Sequence, residues 1–142
     1  MISTTIDHII SRLETIPDLA NVYTALPIPE NRSDLLTYFD ENIQGWEVSN
    51  SRGSESLQTQ NAGDWEDTIQ IDGWYLYKGP TTKTQMQTFV DAIKVLFKTD
   101  RKLGRAGQNR GPITLVFFQT DWFYEILTHH CRFELGVQTV FT

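Results

Sequence analysis

The residues with the strongest chemical character stand near the end of the chain, at His129-His130-Cys131, where two imidazoles adjoin the only thiol. A zinc site needs three or four ligands converging on one ion, and a thiolate nucleophile needs a base within hydrogen-bond reach. The residues around the cluster alternate, with Cys131, Phe133, Leu135 and Val137 on one parity and His130, Arg132, Glu134 and Gln138 on the other. That alternation reads as a half-exposed β-strand. Neighbouring strand side chains point to opposite faces, so the three groups cannot meet at one point. Cys131 is then expected as a small buried residue, and the remaining histidine, His8, falls in an N-terminal helix. No catalytic centre, metal or cofactor is expected.

Two further constellations invite chemistry. Asp64, Glu66 and Asp67 cluster where a loop meets a strand, but eighteen acidic residues in the chain make chance clustering a sufficient account. Gly104, Gly107 and Gly111 suggest a phosphate-cradling loop. Such a loop joins a strand to a helix and ends in Lys-Ser or Lys-Thr, whereas this one follows a helix, precedes a strand and lacks that ending.

Charge is what remains of that loop. Residues 98–111 hold Lys98, Arg101, Lys102, Arg105 and Arg110 against Asp100, a local charge of +4; the whole chain carries −6, so the rest carries −10. A dipolar chain of this kind can set its basic loop against the acidic body of another copy. Phosphate contact is the alternative for the loop, and a solvated connector is the plain one. The four tryptophans are the second unusual feature: Trp46 and Trp65 open strands, Trp74 shares a face with Gln70, Asp72 and Lys78, and Trp122 stands between two strands. Tryptophan is enriched at interfaces, so Arg101, Lys102, Arg105, Arg110, Trp46, Trp65, Trp74 and Trp122 form the candidate contact set. The competing account buries these rings beneath helices and loops that cover both sheet faces.

The elements that position these residues follow from periodicity. Ile6, Ile9, Ile10, Leu13 and Ile16 lie on one face of a first helix that Thr4 and Asp7 cap and Pro17 ends. A short extended piece, Val22 to Leu26, precedes Pro27 and Pro29. Ser33-Asp34 then caps a shorter helix carrying Leu35, Leu36, Phe39 and Ile43, which Gly45 stops. A strand begins at Trp46, and residues 50–64 read as a long hairpin loop. Residues 65–78 form a long strand in which Gly73 suggests a bulge. Thr82 and Gln85 make a second capping box for a helix built on Met86, Phe89, Val90, Ile93, Leu96 and Phe97. After the basic loop, ITLVFF (113–118) is apolar on both faces and reads as a central strand. The expected fold is one α+β domain over residues 1–142: a mixed, mostly antiparallel sheet with two long helices packed on one face and a long β-hairpin loop.

Composition agrees with a globular chain. It is 39% apolar and 21% charged over 142 residues, enough to bury a core. The net negative charge disfavours whole-surface attraction to nucleic acid or anionic membrane. One cysteine cannot form an internal disulfide, no apolar run reaches membrane-spanning length, and MISTTIDHII lacks the character of a signal peptide.

Taken together, the isoleucine-spaced opening helix, the Val22-Tyr23 piece with its prolines, the long strand IQIDGWYLYKG, the single helix TFVDAIKVLF and the terminal HHCRFELGVQTVF resemble the tail terminator, or tail completion, proteins of long-tailed bacteriophages, prophages included. The likeness in element order covers most of the chain. It implies six copies closed into a non-catalytic ring at the head-proximal end of the virion tail, after synthesis in the host cytoplasm. Such a ring caps the tail tube, ends its polymerisation and offers a docking surface to the head connector, while DNA passes through its lumen without sequence-specific binding. It implies that residues 50–64 and 98–111 reach neighbouring subunits, the tube or the lumen. Another head–tail connector component, a small enzyme or ligand-binding α+β domain, and an acidic adaptor stand as alternatives.

Overall fold

A computed structural model describes residues 2–24, 37–39, 42–54, 64–99, 107–109, 113–123 and 126–140. The elements are α1 (Ile2–Leu13), β1 (Val22–Tyr23), β2 (Gln44–Ser54), β3 (Asp64–Leu76), α2 (Pro80–Thr99), β4 (Gly107–Asn109), β5 (Thr114–Phe123) and β6 (Ile126–Val140). All six strands belong to one mixed sheet in the order β1-β2-β3-β6-β4, with β5 lying on β6 beside β4. β1 runs parallel to β2, and the other pairings are antiparallel. The chain is therefore α+β.

The sheet has two unlike faces, and alternation along the strands produces both. Val48, Ile71, Phe133 and Leu115 stand in register across four strands, as do Trp46, Gly73, Cys131 and Phe118. These residues look toward the helices. Ile9 and Leu13 of α1 and Met86, Phe89, Val90, Ile93 and Phe97 of α2 enter the same buried cluster. Each fully buried Ile, Leu or Phe contributes about 1.5–3 kcal/mol, so this face carries most of the stability. Among the described residues no helix is long and apolar enough to cross a membrane.

The opposite parity carries Asp72, Trp74, His130 and Arg132, with Trp74 in a smaller cluster beside Phe39 and Ile126. Residues 37–39 are helical, and the N–H of Ile43 returns to the carbonyl of Phe39 at 2.8 Å. Ile43 itself ends that turn in a left-handed conformation (φ 64°), a position Gly45 was expected to fill; Gly45 instead lies in β2 in register with Trp74. The Ser33-Asp34 cap and Leu35, Leu36, Pro27 and Pro29 lie outside the described residues.

Several local expectations change. The first extended piece is a strand over Val22–Tyr23, with Ala25 and Leu26 outside the described residues, and β2 continues to Ser54, so strand occupies residues expected as loop. Gly73 is no bulge, because its register with Trp46 and Cys131 is continuous; the shift in β2–β3 pairing falls between Asn50 and Arg52. α2 begins at Pro80, two residues before Thr82. Proline suits that position, where its missing N–H would have no helical acceptor, and Gly79 turns the chain into it at φ 92°. The largest change concerns the strand expected at the centre of the sheet. β5 pairs only with β6 among the described residues and lies at an edge, while β6 runs between β3 and the β4–β5 side and keeps the expected alternation, with Cys131, Phe133, Leu135 and Val137 buried and Arg132 and Glu134 partly open.

Candidate functional site

The three adjacent groups near the C-terminus separate as strand geometry requires. His129 and Cys131 face the helices and His130 faces away. Cys131 is fully buried, and burial followed by the nearby charge of Asp72 pushes its thiol well above the ordinary cysteine range. Such a thiol is unreactive as a nucleophile.

His129 is buried between two threonines, with Thr82 Oγ1 2.9 Å from Nε2 and Thr120 Oγ1 2.9 Å from Nδ1. The Thr82 hydroxyl already donates to the Gly79 carbonyl at 2.7 Å. It must therefore accept from Nε2–H, which leaves Nδ1 to accept from Thr120. A hydroxyl hydrogen-bonded to an imidazole is the germ of a nucleophilic pair. Here burial, and then the charge of Lys83, lower the His129 pKa below its ordinary value. The orienting group is a hydroxyl where an imidazolium would need a carboxylate. The arrangement holds a neutral ring; it ties the start of α2 to β5 and β6.

On the other face, Asp72 is 2% exposed. His130 Nε2 donates to its Oδ1 at 3.0 Å and Arg132 Nε donates to the same oxygen at 2.8 Å, while Gln70 donates to Oδ2. Burial alone would raise the Asp72 pKa, but these three donors together outweigh it and leave the carboxyl below its ordinary value. The His130 ring is stacked on Trp74 (4.7 Å, 18° between planes) and meets Phe117 edge-on at 4.7 Å. The Arg132 guanidinium lies 5.2 Å from the centre of Phe117. The imidazole is thus held between Trp74, Phe117 and the Asp72 carboxylate, and the group acts as a polar lock joining β3, β5 and β6.

The candidate contact residues divide accordingly. Trp46 is fully buried, its indole N–H donating to Gln44 Oε1 at 2.8 Å. Trp74 is 8% exposed and packs internally. Neither is available to a partner, because both sheet faces carry cover where these rings lie. Trp65 has its backbone in β3, paired with Thr139, and its side chain lies outside the described residues. Arg101, Lys102, Arg105 and Arg110 also lie outside them, as do Asp100, Gly104 and Gly111, while Gly107 opens β4. Asp64, Glu66 and Asp67 sit in β3 opposite the end of β6.

Trp122 alone of the expected set is both described and open, at 67% exposure. It belongs to a longer feature. Along β5, Thr114, Val116, Gln119, Thr120, Asp121 and Trp122 are exposed, and Val116 is 45% exposed where the β5–β6 register shifts. Trp122 stands opposite Leu127, and the exposed Tyr77 donates its backbone N–H to the Leu127 carbonyl at 3.1 Å. An apolar, weakly charged strand therefore lies at the sheet edge, next to exposed aromatics. Sequence could not show this, because two-sided hydrophobicity is common to covered strands and to edges that become covered on association. No protein-family model matches the chain, and no curated protein matches it significantly.

Proposed function

We propose that the chain is a structural assembly subunit of the tail terminator kind. Six copies close into a ring that caps the tail tube of a long-tailed phage, ends its polymerisation and receives the head connector, without catalysis. The observation that supports this reading is the β5 edge, with Trp122 and Val116 open to solvent on a strand whose only charge is Asp121. Long apolar edges are aggregation hazards when left uncovered, and large exposed aromatics mark contact sites. A subunit that spends its working life against neighbours can carry such an edge.

A ring requires two different surfaces meeting head to tail. The basic segment 98–111, with Arg101, Lys102, Arg105 and Arg110, supplies +4 against −10 elsewhere, which suits one copy docking on the next. On this reading residues 50–64 and 98–111 reach neighbouring subunits, the tube or the lumen. DNA passes through such a lumen without base readout.

Electron microscopy and native mass spectrometry of the full chain, alone and with purified tail tubes, test the proposal. Six-membered rings, free or at tube ends, are expected. A chain that ignores tail tubes and holds a small molecule in a deep pocket would sink it.

A further inference from the structure

We propose that the β5 edge pairs with the β5 edge of a second copy about a twofold axis at Gln119, giving a continuous sheet across the dimer. This inference does not depend on the phage reading. It starts from the spacing of the two open apolar side chains on the strand, Val116 and Trp122, which lie three residues to either side of Gln119. In an antiparallel pair centred on Gln119, the regular part of the strand from Phe117 to Asp121 is self-matched, and Trp122 of each copy comes up against the irregularity at Val116 of the other, so one operation brings the two exposed side chains together twice. Phe118 faces Thr120, and Asp121 faces Phe117. Directly opposed side chains lie about 4.5–5.5 Å apart at Cβ, close enough for the tryptophan to lie over the valine.

The backbone has the matching parity. Thr128 Oγ1 reaches the Asp121 carbonyl across the β5–β6 ladder at 3.4 Å, so the Asp121 peptide looks toward β6. The Trp122 N–H is accepted by the Asp121 carboxylate at 2.7 Å and looks outward. Alternation then turns the N–H and C=O groups of Phe118 and Thr120 outward as well. In the twofold register Phe118 and Thr120 are opposed, and both present the groups a ladder needs. No like charges face each other, because the strand's single charge falls opposite an aromatic ring.

Asp121 is also the guard of this edge. Its carboxylate occupies an N–H that the partner strand would use, and Gln119 Nε2 steadies it through a 3.0 Å hydrogen bond to Oδ2. Charged residues on edge strands commonly serve against unwanted pairing. Here the guard holds one N–H of the strand, so it weakens the dimer without preventing it. A twofold pair consumes the edge and stops at two copies, unlike a ring, which needs unlike surfaces. The dimer keeps the apolar edge covered.

The test is a sedimentation-velocity concentration series on the full chain, with cysteine cross-linking to fix the register. Wild type should shift from monomer to dimer as concentration rises. Val116→Lys should abolish the shift while leaving the fold intact, since its side chain is exposed. Asp121→Ala should tighten the dimer by roughly a hundredfold, because two Trp122 N–H groups are freed in each dimer, each worth about tenfold. Gln119→Cys should give a disulfide-linked dimer in a glutathione buffer, because the position faces itself across the axis within disulfide reach. Thr114→Cys, displaced from its own copy by about ten residues or roughly 33 Å of strand, should not. Wild type should give none, since Cys131 is buried. A chain that remains monomeric throughout, or that cross-links as readily at position 114 as at 119, overturns the proposal. So does a six-membered species with no cross-link at 119, an outcome that would leave the ring reading standing.

Discussion

Gly73→Ala is a small substitution with a large expected effect, because the position is a slot for a ring. Gly73 stands in register between Trp46 on β2 and Cys131 on β6, on the helix-facing side of the sheet. A Cβ at this position would lie 2.6 Å from Trp46 Cη2 and closer still to Cζ3 and Cε3. The ring cannot yield. Its N–H is tied to Gln44 Oε1 at 2.8 Å, and its edge packs against Phe89 at 5.9 Å with the planes nearly perpendicular. Overpacking a core costs about 1–3 kcal/mol, and a rigid, fully buried neighbour places this case at the upper end. Alanine recovers about 0.5–1 kcal/mol because glycine is a poor strand residue. The net loss should be about 2 kcal/mol, or roughly 6–8 °C in Tm for a chain of this size.

Urea unfolding followed by far-UV circular dichroism reads this directly, and avoids the tryptophan signal that the substitution itself perturbs. The cause is isolated by repeating Gly73→Ala in a Trp46→Leu background. Trp46→Leu alone should be destabilising by about 3 kcal/mol through lost burial and cavity formation. The added Gly73→Ala should then cost almost nothing, giving a coupling of about 2 kcal/mol. Equal costs in both backgrounds, or no cost in wild type, would refute the assignment of Gly73 as space for Trp46.

Other substitutions test the polar parts of the fold. Gln44→Ala removes the acceptor of the Trp46 indole and of the Ala20 N–H, together with the donor to the Asp18 carbonyl, and should cost about 2–3 kcal/mol in urea unfolding. Asp72→Ala leaves His130 and Arg132 without their shared carboxylate and should cost about 2–3 kcal/mol, with Asp72→Asn milder because it keeps an acceptor. The His129 pKa is lowered from 6.5, so its contribution is present above that pH and is lost as pH falls from there toward the folded-state value; His129→Gln should flatten this first decline in a pH series of unfolding midpoints. Asp72 is lowered from 3.8, so a second decline should begin near that pH and be absent in Asp72→Asn.

Sequence showed most of the helix-facing core and little of what lies across it. The rhythm of Phe89, Val90, Ile93 and Phe97, and the parity of Ile69, Ile71, Phe133 and Leu135, are set by helix and strand periods that need no partner to be read. Parity also placed Asp72 with Trp74 and His130 with Arg132. What it lacked was register: only the pairing of Asp72 with Arg132 and of Trp74 with His130 turns two alternating strands into one buried network. Gly73 failed for the same reason, since a glycine in a strand looks alike whether it bends the chain or receives a neighbouring ring. The tryptophans separated on cover. Trp46 and Trp74 lie beneath other elements and Trp122 does not, a distinction that depends on where residues 37–39 and α2 come to rest.

The strand expected at the centre and found at the edge bears most directly on function. ITLVFF reads as a strand with both faces covered, yet its Val116 and the later Trp122 are open at the edge. A residue pattern suited to burial, in a place that the single chain leaves exposed, is a local conflict between sequence and isolated fold. Such conflicts persist where function requires them. Two arrangements would resolve it, a ring neighbour or a twofold copy, and both require that strand β5 be covered by protein. They differ in what Asp121 does. In the twofold pair its carboxylate competes with the partner strand for the Trp122 N–H, so removing it strengthens association. In a ring held by charge between the basic segment and an acidic body, removing an acidic group from an exposed surface weakens association or leaves it unchanged. The sign of the change in affinity on Asp121→Ala therefore separates the two, and a dilution series of wild type beside the variant is enough to read it.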